Sequence, residues 1–339
     1  MTINRLKYLF ILIIVLASCS KDEWSENTND HLFLKNEDAV MPVFVNGNTN
    51  SNVFLILLHG GPGFTSLEAY QKQESPFTKL QAEYAVVYWE QRCAGSSQGN
   101  CNYEKLNVDD YTRDLEKLII LLKQRYSPDI KIFLLGHSWG GSLGIQYLSK
   151  ENNQSNIKGW IEIDGGHNVP RISILEREMV NEIGKRQIAL GNNITEWQSN
   201  IDEANNLDLT NTDDIFQMNK IARMSEELMT EIDSVNKKIS TIGISDYFFS
   251  PIDIHAMQNN GEKTVDALKE EIVKLDLSEN TKQIMIPTIM IWGKYDFRVP
   301  PEFALEAYKN YGSSEKELII FNRSAHFTQW NEPDLFYIN

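Results

Sequence analysis

A serine flanked by glycines is the first feature of this sequence that could do chemistry. Residues 136–141 read GHSWGG; they follow an apolar run and precede a helical pattern. A G-x-S-x-G motif between a strand and a helix is typical of a strained turn that lifts a serine hydroxyl clear of a sheet. Glycine two residues before and after the serine leaves room for so sharp a bend. We therefore predict that Ser138 is a nucleophile.

A serine hydroxyl is a weak nucleophile, so it requires a base that is itself oriented by a carboxylate. The order serine, acid, histidine along the chain is expected when the serine lies on a turn of this kind. Asp296 and His326 each come shortly after an apolar, strand-like run, and we predict both as partners of Ser138. Asp164, which also follows such a run, is an alternative acid.

Attack on a carbonyl group creates an oxyanion, which backbone N–H groups stabilise. The residue after the nucleophile, Trp139, is one expected donor. The second is expected in residues 59–63, HGGPG, where glycine lets the backbone approach the substrate, and we predict Gly61. We interpret His59 and His137 as structural residues.

Apolar runs alternate with helical patterns, which predicts the α/β class and a doubly wound, mostly parallel sheet. Residues 169–282 break the alternation because they are polar and helical in pattern, with 21 acidic and 12 basic residues. This interval is too long for a connection. We predict that it is a helical cap inserted between the two parts of the sheet domain, residues 36–168 and 283–339. The apolar runs lie at residues 53–58, 84–89, 130–135, 159–163, 286–292 and 318–321.

Five segments of the chain resemble the proline iminopeptidase family of α/β-hydrolases. They are HGGPG at 59–63, EQRCAGSS at 90–97, GHSWGG at 136–141, GKYDFRVP at 293–300 and SAHFTQWNEP at 324–333. The resemblance implies an α/β-hydrolase fold and the removal of N-terminal residues, often proline, from short peptides. It also implies the triad Ser138, Asp296 and His326 with the oxyanion donors Gly61 and Trp139. The predicted cap lacks the W-x-x-W-E helix of that family, and only Trp197 stands in that region.

Three functions are compatible with these residues. An aminopeptidase must hold a substrate ammonium close to the serine, normally with buried carboxylates. Glu176, Glu178 and Glu182, at the beginning of the predicted cap, are the candidates. A carboxylesterase or lipase-like hydrolase of small esters would share the triad and need only an apolar acyl pocket. A non-catalytic binding lipoprotein would keep the fold without the activity.

The sequence indicates neither a metal nor a cofactor. No Cys/His spacing matches a metal site, and neither a P-loop nor a G-x-G-x-x-G motif occurs. The formal net charge is −15 at pH 7, and so acidic a chain would be repelled by phosphate backbones. We therefore expect a small peptide or ester substrate and no nucleic-acid partner.

The N-terminus predicts export. Two basic residues precede an apolar run at 8–17, which is too short to span a membrane. The ending LASC at 16–19 resembles a bacterial lipobox, in which Cys19 becomes the lipidated first residue. We therefore expect a signal peptide at 1–18, a tether at 19–35 and a protein anchored by lipid to a membrane of the bacterial cell envelope. In such an oxidising compartment Cys93 and Cys101 could form a disulfide or stay as two free thiols.

Acylation of Cys19 is directly testable. Intact-mass spectrometry of the protein extracted from the membranes of its own cells should show a lipid-modified Cys19 as the first residue. A Cys19→Ser variant should lack the acyl mass and leave the membrane fraction. An unmodified N-terminus at any other position would refute the anchor.

Overall fold

A computed structural model of the protein describes residues 28–70, 75–99, 101–150, 152–232, 235 and 254–338. Its strands are β1 (Thr28–Asn36), β2 (Ala39–Gly47), β3 (Val53–Leu58), β4 (Ala85–Trp89), β5 (Gln98–Gly99), β6 (Lys131–His137), β7 (Ile157–Ile163), β8 (Thr288–Gly293) and β9 (Lys316–Phe321). In these residues eight strands form one sheet in the order β1-β2-β4-β3-β6-β7-β8-β9, and β5 pairs with β2. The pairs β1–β2, β2–β4 and β2–β5 are antiparallel, and the other neighbours are parallel.

The helices of the described residues lie between the strands and after the last one. They are α1 (Leu67–Tyr70), α2 (Pro76–Glu83), α3 (Val108–Arg125), α4 (Trp139–Leu148), α5 (Val169–Leu190), α6 (Ile194–Asn206), α7 (Thr212–Thr230), α8 (Ile254–Ile272), α9 (Ser278–Thr281), α10 (Pro301–Asn310), α11 (Thr328–Asn331) and α12 (Pro333–Ile338). None of them combines the length with the apolar character that crossing a bilayer requires.

The central strands are apolar at successive positions because helices cover both faces of the sheet. In β3, Phe54 and Ile56 belong to the core cluster on one face, whereas Leu55 and Leu57 belong to the cluster on the other face. Side chains of a strand alternate between faces, so a two-faced core requires an uninterrupted apolar run. The predicted doubly wound, mostly parallel sheet is confirmed.

The first strand corrects one predicted boundary. A tether was expected up to residue 35, but from Thr28 onward the chain forms β1, which pairs along its whole length with β2. In β1 only Leu34 is buried, and the other side chains are exposed or half-buried. An edge strand of this kind is polar because its side chains face solvent, so its composition resembles that of a tether. Cys19 and the predicted signal peptide lie outside the described residues.

The described part of the predicted cap, residues 169–232, 235 and 254–282, contains helices α5 to α9. Helices α5, α6 and α7 share a separate apolar cluster that includes Val180, Trp197, Met218 and Ile221. Phe297, which lies just after β8, belongs to the same cluster and ties the cap to the sheet domain. The cap is thereby held over the carboxyl ends of the central strands.

Candidate active site

Ser138 lies at the sharp turn that the sequence predicts between β6 and α4. Its backbone has φ 55° and ψ −117°, a left-handed conformation that costs a residue with a side chain about 1–3 kcal/mol. A Cβ atom at Gly140 would lie 1.9 Å from the Leu58 carbonyl oxygen, and one at Gly136 would lie 2.4 Å from the Gly140 oxygen. Both glycines are therefore required, because the turn brings three backbone segments together.

Ser138, His326 and Asp296 are joined by hydrogen bonds. The His326 Nε2 atom lies 3.0 Å from the Ser138 Oγ atom, and the His326 Nδ1 atom lies 2.8 Å from the Asp296 Oδ2 atom. An ionised carboxylate only accepts, so the Nδ1–H group donates to Asp296 and leaves Nε2 to accept from the serine hydroxyl. The structure thus brings together the three residues predicted from widely separated segments.

Asp296 is buried and is held by its own turn. Its Oδ1 atom accepts hydrogen bonds from the backbone amides of Arg298 and Val299, both at 2.9 Å. Burial raises the pKa of Asp296, while these amides and the Arg298 guanidinium stabilise the charged form and act against that increase. The carboxyl group is therefore fixed in orientation, with its Oδ2 atom facing His326.

The two predicted oxyanion donors border the same cavity as Ser138. Gly61 has φ +130°, a conformation that favours glycine, and a Cβ atom there would lie 2.8 Å from the Gly63 nitrogen. A Cβ atom at Gly60 would lie 3.3 Å from Ser138 Cβ, so this loop passes directly beside the serine. Trp139 is the first residue of α4, and its amide has no acceptor within the helix. Both positions suit a donor to an oxyanion, and the roles of Gly61 and Trp139 stay a prediction.

Gln91 holds these two donor segments together, although the sequence analysis did not single it out. The Gln91 side-chain amide donates to the His59 carbonyl oxygen at 3.2 Å, and its Oε1 atom accepts from Trp139 Nε1 at 3.1 Å. The Gln91 backbone amide also donates to His59 Nε2, at 3.3 Å. The segment EQR was part of the family resemblance, but only the folded chain shows that its glutamine joins the segments of Gly61 and Trp139.

Glu90, next to Gln91, anchors the loop that follows the predicted oxyanion segment. Its fully buried carboxylate accepts hydrogen bonds from the amides of Ser66 and Ser96, both at 2.7 Å, and from Thr65 Oγ1 at 2.8 Å. In the loop after β4, which carries Glu90 and Ser96, Cys93 and Cys101 are joined as a disulfide with a Cα–Cα distance of 5.7 Å, within the range that disulfides allow. The loop is therefore fixed both covalently and by buried hydrogen bonds.

A cavity of about 1290 Å³ lies over the serine, between the sheet domain and the cap. Glu176 of α5 borders it and is 1% exposed. Its Oε1 atom accepts from the side-chain amide of Asn219 at 2.7 Å. Glu176 forms no ion pair in the described part of the chain, although the Arg298 guanidinium in the same cavity wall lowers its pKa. Burial raises the pKa of Glu176 to about 8.

The other two predicted cap acids point away from this cavity. Glu178 and Glu182 are exposed, and neither borders the cavity. Each helical residue is rotated by about 100° from the one before it, so both acids lie far around the helix from Glu176. Trp197 is also absent from the cavity wall because it is buried in the core of the cap, 6.0 Å from Phe297 between ring centroids.

Glu226, which the sequence analysis did not select, is a second buried acid close to the site. It lies on α7 and forms an ion pair with Arg298, at 3.2 Å between Oε1 and the guanidinium. Burial raises the pKa of Glu226, and Arg298 acts against that increase. Arg298 borders the cavity, whereas Glu226 lies behind it. The sequence does not distinguish Glu226 from the other acids of the cap, because its burial depends on how the helices pack.

Three potential metal ligands occur together beside the serine. Ligand-capable atoms of His137, Asp164 and His326 lie within 4.8 Å of one another. Both ring nitrogens of His326 already form hydrogen bonds, to Ser138 and to Asp296, and His137 Nε2 bonds to the His326 carbonyl oxygen at 2.7 Å. These contacts show a hydrogen-bonded cluster around His326, and they give no support to a metal site.

Comparison with known proteins agrees with this geometry. The sequence profile of the alpha/beta hydrolase fold matches residues 53–333. The chain belongs to the α/β-hydrolase fold family. It is 29% identical over 290 residues to a proline iminopeptidase of Saccharolobus solfataricus, covering 84% of this chain and 83% of that protein. It is 22% identical over 311 residues to a probable aminopeptidase of Bacillus subtilis, YbaC, covering 87% and 89%.

Solved structures with this fold include proteins of several described activities. A proline iminopeptidase-related protein of Thermus thermophilus superposes with a TM-score of 0.60 at 16% identity, covering 92% of this chain and 95% of that one. A putative lipase of Acinetobacter baumannii superposes with a TM-score of 0.59 at 16% identity, covering 92% and 89%. At such identities the likeness establishes the fold alone. With the sequence relatives, this α/β-hydrolase is a hydrolase that resembles proline iminopeptidases.

The contacts of Gln91 predict a cost for its removal. Gln91→Leu would leave the His59 carbonyl oxygen and the Trp139 indole N–H buried without partners, which should lower the free energy of unfolding by about 2–4 kcal/mol in chemical denaturation. Gln198→Leu is the matched control, because Gln198 is exposed and should change stability by less than about 0.5 kcal/mol. Equal, small effects of both substitutions would contradict the bridging role of Gln91.

Proposed function

We propose that this chain is a serine hydrolase in which Ser138 is the nucleophile, His326 the base and Asp296 the orienting acid. The hydrogen-bonded arrangement of these residues at the base of a cavity is the observation that carries the proposal. Ser138 Oγ attacks the substrate carbonyl carbon while His326 Nε2 takes the hydroxyl proton. The amides of Gly61 and Trp139 stabilise the resulting oxyanion.

The remaining steps use the same groups. The His326 imidazolium gives its proton to the leaving amine or alcohol, and the acyl group stays on Ser138 as an ester. Water then attacks this ester while His326 accepts a proton, and Ser138 recovers its hydrogen when the acid product leaves. Asp296 stabilises the imidazolium in both steps.

We propose further that the preferred substrates are short peptides with a free N-terminus, as in proline iminopeptidases. Glu176 supports this assignment because it is a buried carboxyl group in the cavity wall that forms no ion pair with another described residue. A substrate ammonium at this position would supply the missing charge and form a charge-assisted hydrogen bond. The relatives in Saccharolobus solfataricus and Bacillus subtilis carry the names of aminopeptidases.

A carboxylesterase or lipase-like function is the second candidate. The cavity wall is apolar over much of its area, as an acyl pocket requires, and the fold is shared with a putative lipase. The cap also lacks the W-x-x-W-E helix of proline iminopeptidases. Apolar residues of the wall include Leu57, Phe64, Phe77, Ile172, Ile215 and Trp330.

The proposed location is the bacterial cell envelope, with the hydrolase attached to a membrane through lipid on Cys19. The support is the sequence of the first nineteen residues alone. A non-catalytic binding lipoprotein at the same location is the alternative from a different class of function. Substitution of Ser138 distinguishes it from an enzyme.

Ser138→Ala should abolish both hydrolysis and covalent labelling by a fluorophosphonate probe, because the probe reacts only with an activated serine. Ser142→Ala is the matched control. Ser142 borders the same cavity, but its hydroxyl donates to the Gly166 carbonyl oxygen at 2.6 Å. Gel-based labelling should therefore persist in the control variant. Labelling retained in Ser138→Ala would place the nucleophile elsewhere, and unlabelled wild-type protein would favour the binding lipoprotein.

Capture of a free amine predicts a penalty for N-acetylated substrates. Acetylation removes a charge-assisted contact to Glu176, so kcat/KM should fall by about 30- to 150-fold, corresponding to about 2–3 kcal/mol. In Glu176→Gln the same pair of substrates should differ little, whereas Glu178→Gln, an exposed position on the same helix, should behave as wild type. Equal rates for free and acetylated substrates in wild type, with faster cleavage of nitrophenyl esters, would overturn the aminopeptidase assignment.

The raised pKa of Glu176 gives this substrate preference a pH dependence. With a pKa of about 8 the carboxyl group is neutral below that pH and must lose its proton to pair with an ammonium. The ratio of kcat/KM for free-amine to N-acetylated substrates should therefore rise as the pH approaches 8, and this rise should be missing in Glu176→Gln. A ratio with the same pH profile in the two proteins would show that Glu176 does not bind the amine.

A further inference from the structure

A second carboxyl group lies behind the proposed catalytic acid. Asp164 follows β7, is fully buried and has a left-handed backbone with φ +47°. Its amide donates to the Ile291 carbonyl oxygen at 3.0 Å, and its Oδ1 atom accepts from the Gly293 amide at 2.9 Å. These contacts fix Asp164 to the end of β8, the strand whose following turn carries Asp296.

The other oxygen of Asp164 faces the triad. Its contacts to the amide and hydroxyl of Thr328 are long, at 3.4 and 3.3 Å. The Asp164 and Asp296 side chains are close enough to interact, since each acts on the pKa of the other, and an Asp164 oxygen lies within 4.8 Å of a ring nitrogen of His326. Asp164 therefore lies beside the pair formed by Asp296 and His326.

Two buried carboxyl groups in contact share one negative charge, because two adjacent charges in a low dielectric repel each other strongly. The surrounding hydrogen-bond donors favour Asp296 as the ionised member of the pair. It accepts from two backbone amides at 2.9 Å and from His326 at 2.8 Å, and Arg298 is nearby. Asp164 has one short hydrogen bond from an amide. The titratable groups that face Asp164 are Asp296, His326, His137 and Glu226.

The effects on the two pKa values also favour a proton on Asp164 and a negative charge on Asp296. Burial raises the pKa of Asp164 well above its usual value, and the charge of Asp296 raises it further. The hydrogen bond from Asp164 lowers the pKa of Asp296. A proton that resides on Asp164 thus stabilises the ionised form of its neighbour.

We propose that Asp164 is a positioning residue: a neutral carboxylic acid that donates a hydrogen bond to Asp296 and thereby holds that carboxylate charged and oriented toward His326. This role rests on the proposed triad. It requires no bond to Asp164 during the reaction, since its proton stays in place through both halves of catalysis.

The test compares two substitutions of Asp164 across pH. Asp164→Asn stays neutral and keeps an N–H donor for Asp296 and an acceptor for Gly293, so the acid limb of the fluorophosphonate labelling rate should stay within about 0.3 pH unit of wild type. Asp164→Ala loses the donor, so the limb should move about 0.5–1 unit to higher pH and the labelling rate on the acid limb should fall by up to about 3- to 10-fold.

Glu162→Gln is the matched control. Glu162 is an equally buried acid on β7, but it contacts His167 and Tyr311 instead of the triad. Its substitution should lower the melting temperature without moving the acid limb. If Asp164→Ala also lowered the melting temperature without moving the acid limb, the role of Asp164 would be merely structural. That result would overturn the proposal.

A shift of the limb to lower pH in Asp164→Asn would also overturn it, because that shift means that a negative charge was removed. Titration of the His326 ring followed by nitrogen-15 NMR should give the same displacements and needs no reaction. Unlabelled wild-type protein with the expected His326 displacements would refute the proposed function and leave the placement of the proton standing. Labelled wild-type protein without these displacements would refute only the role of Asp164. If Asp164→Ala does not fold, the infrared C=O stretch of a protonated carboxyl group decides: wild type at neutral pH should show one that Asp164→Asn lacks, and its absence in wild type would overturn the proposal.

Discussion

The close approach of backbone segments around Ser138 is the constraint on which the rest of the site depends. The left-handed conformation of the serine is stable only because neighbouring segments hold it: its amide donates to the Ile163 carbonyl oxygen at 3.0 Å, and its carbonyl accepts from Gly166 at 3.2 Å. A Cβ atom at Gly141 would lie 2.6 Å from the Gly165 Cα atom. The serine turn is therefore fixed to the end of β7, and through it to the neighbouring strand ends.

The histidine loop is built on the same principle. A Cβ atom at Gly293 would lie 2.1 Å from the Ala325 carbonyl oxygen, so the turn that carries Asp296 packs directly against the loop that carries His326. Ala325 donates to the Asn331 side chain at 3.1 Å, which fixes the loop from its other side. Parallel strands end at one edge, and glycines at their ends let the loops touch. Hydrogen bonds of 2.8–3.0 Å between separate loops follow from that packing.

How much of this could be predicted from the sequence depends on whether a pattern is local. Strands buried on both faces are uninterrupted apolar runs, and each run marks an edge position for the residue that follows, which is why Ser138, Asp296 and His326 could be selected. Strand β1 was missed because an edge strand is nearly as polar as a linker. Gln91 and Glu226 were missed because a buried bridge between distant segments leaves no periodic pattern in the sequence.

The charges of the site connect its parts. Four acids, Asp164, Glu176, Glu226 and Asp296, are buried in or beside the triad, and burial raises the pKa of each. Arg298 pairs with Glu226 and also acts on Glu176 and Asp296. Arg223 is a second guanidinium on the cavity wall, and the four acids outnumber these two cations. Such a site binds protons or a cation. Asp164 is fully buried and does not border the cavity, which favours a proton there, whereas Glu176 borders the open cavity and can exchange its proton for an ammonium. Under the proposed function, burial of these carboxyl groups thus has two consequences. Beside the triad it favours a proton on Asp164, which supports the charge of Asp296. In the cavity it leaves Glu176 as a carboxyl group whose most favourable partner is a substrate amine.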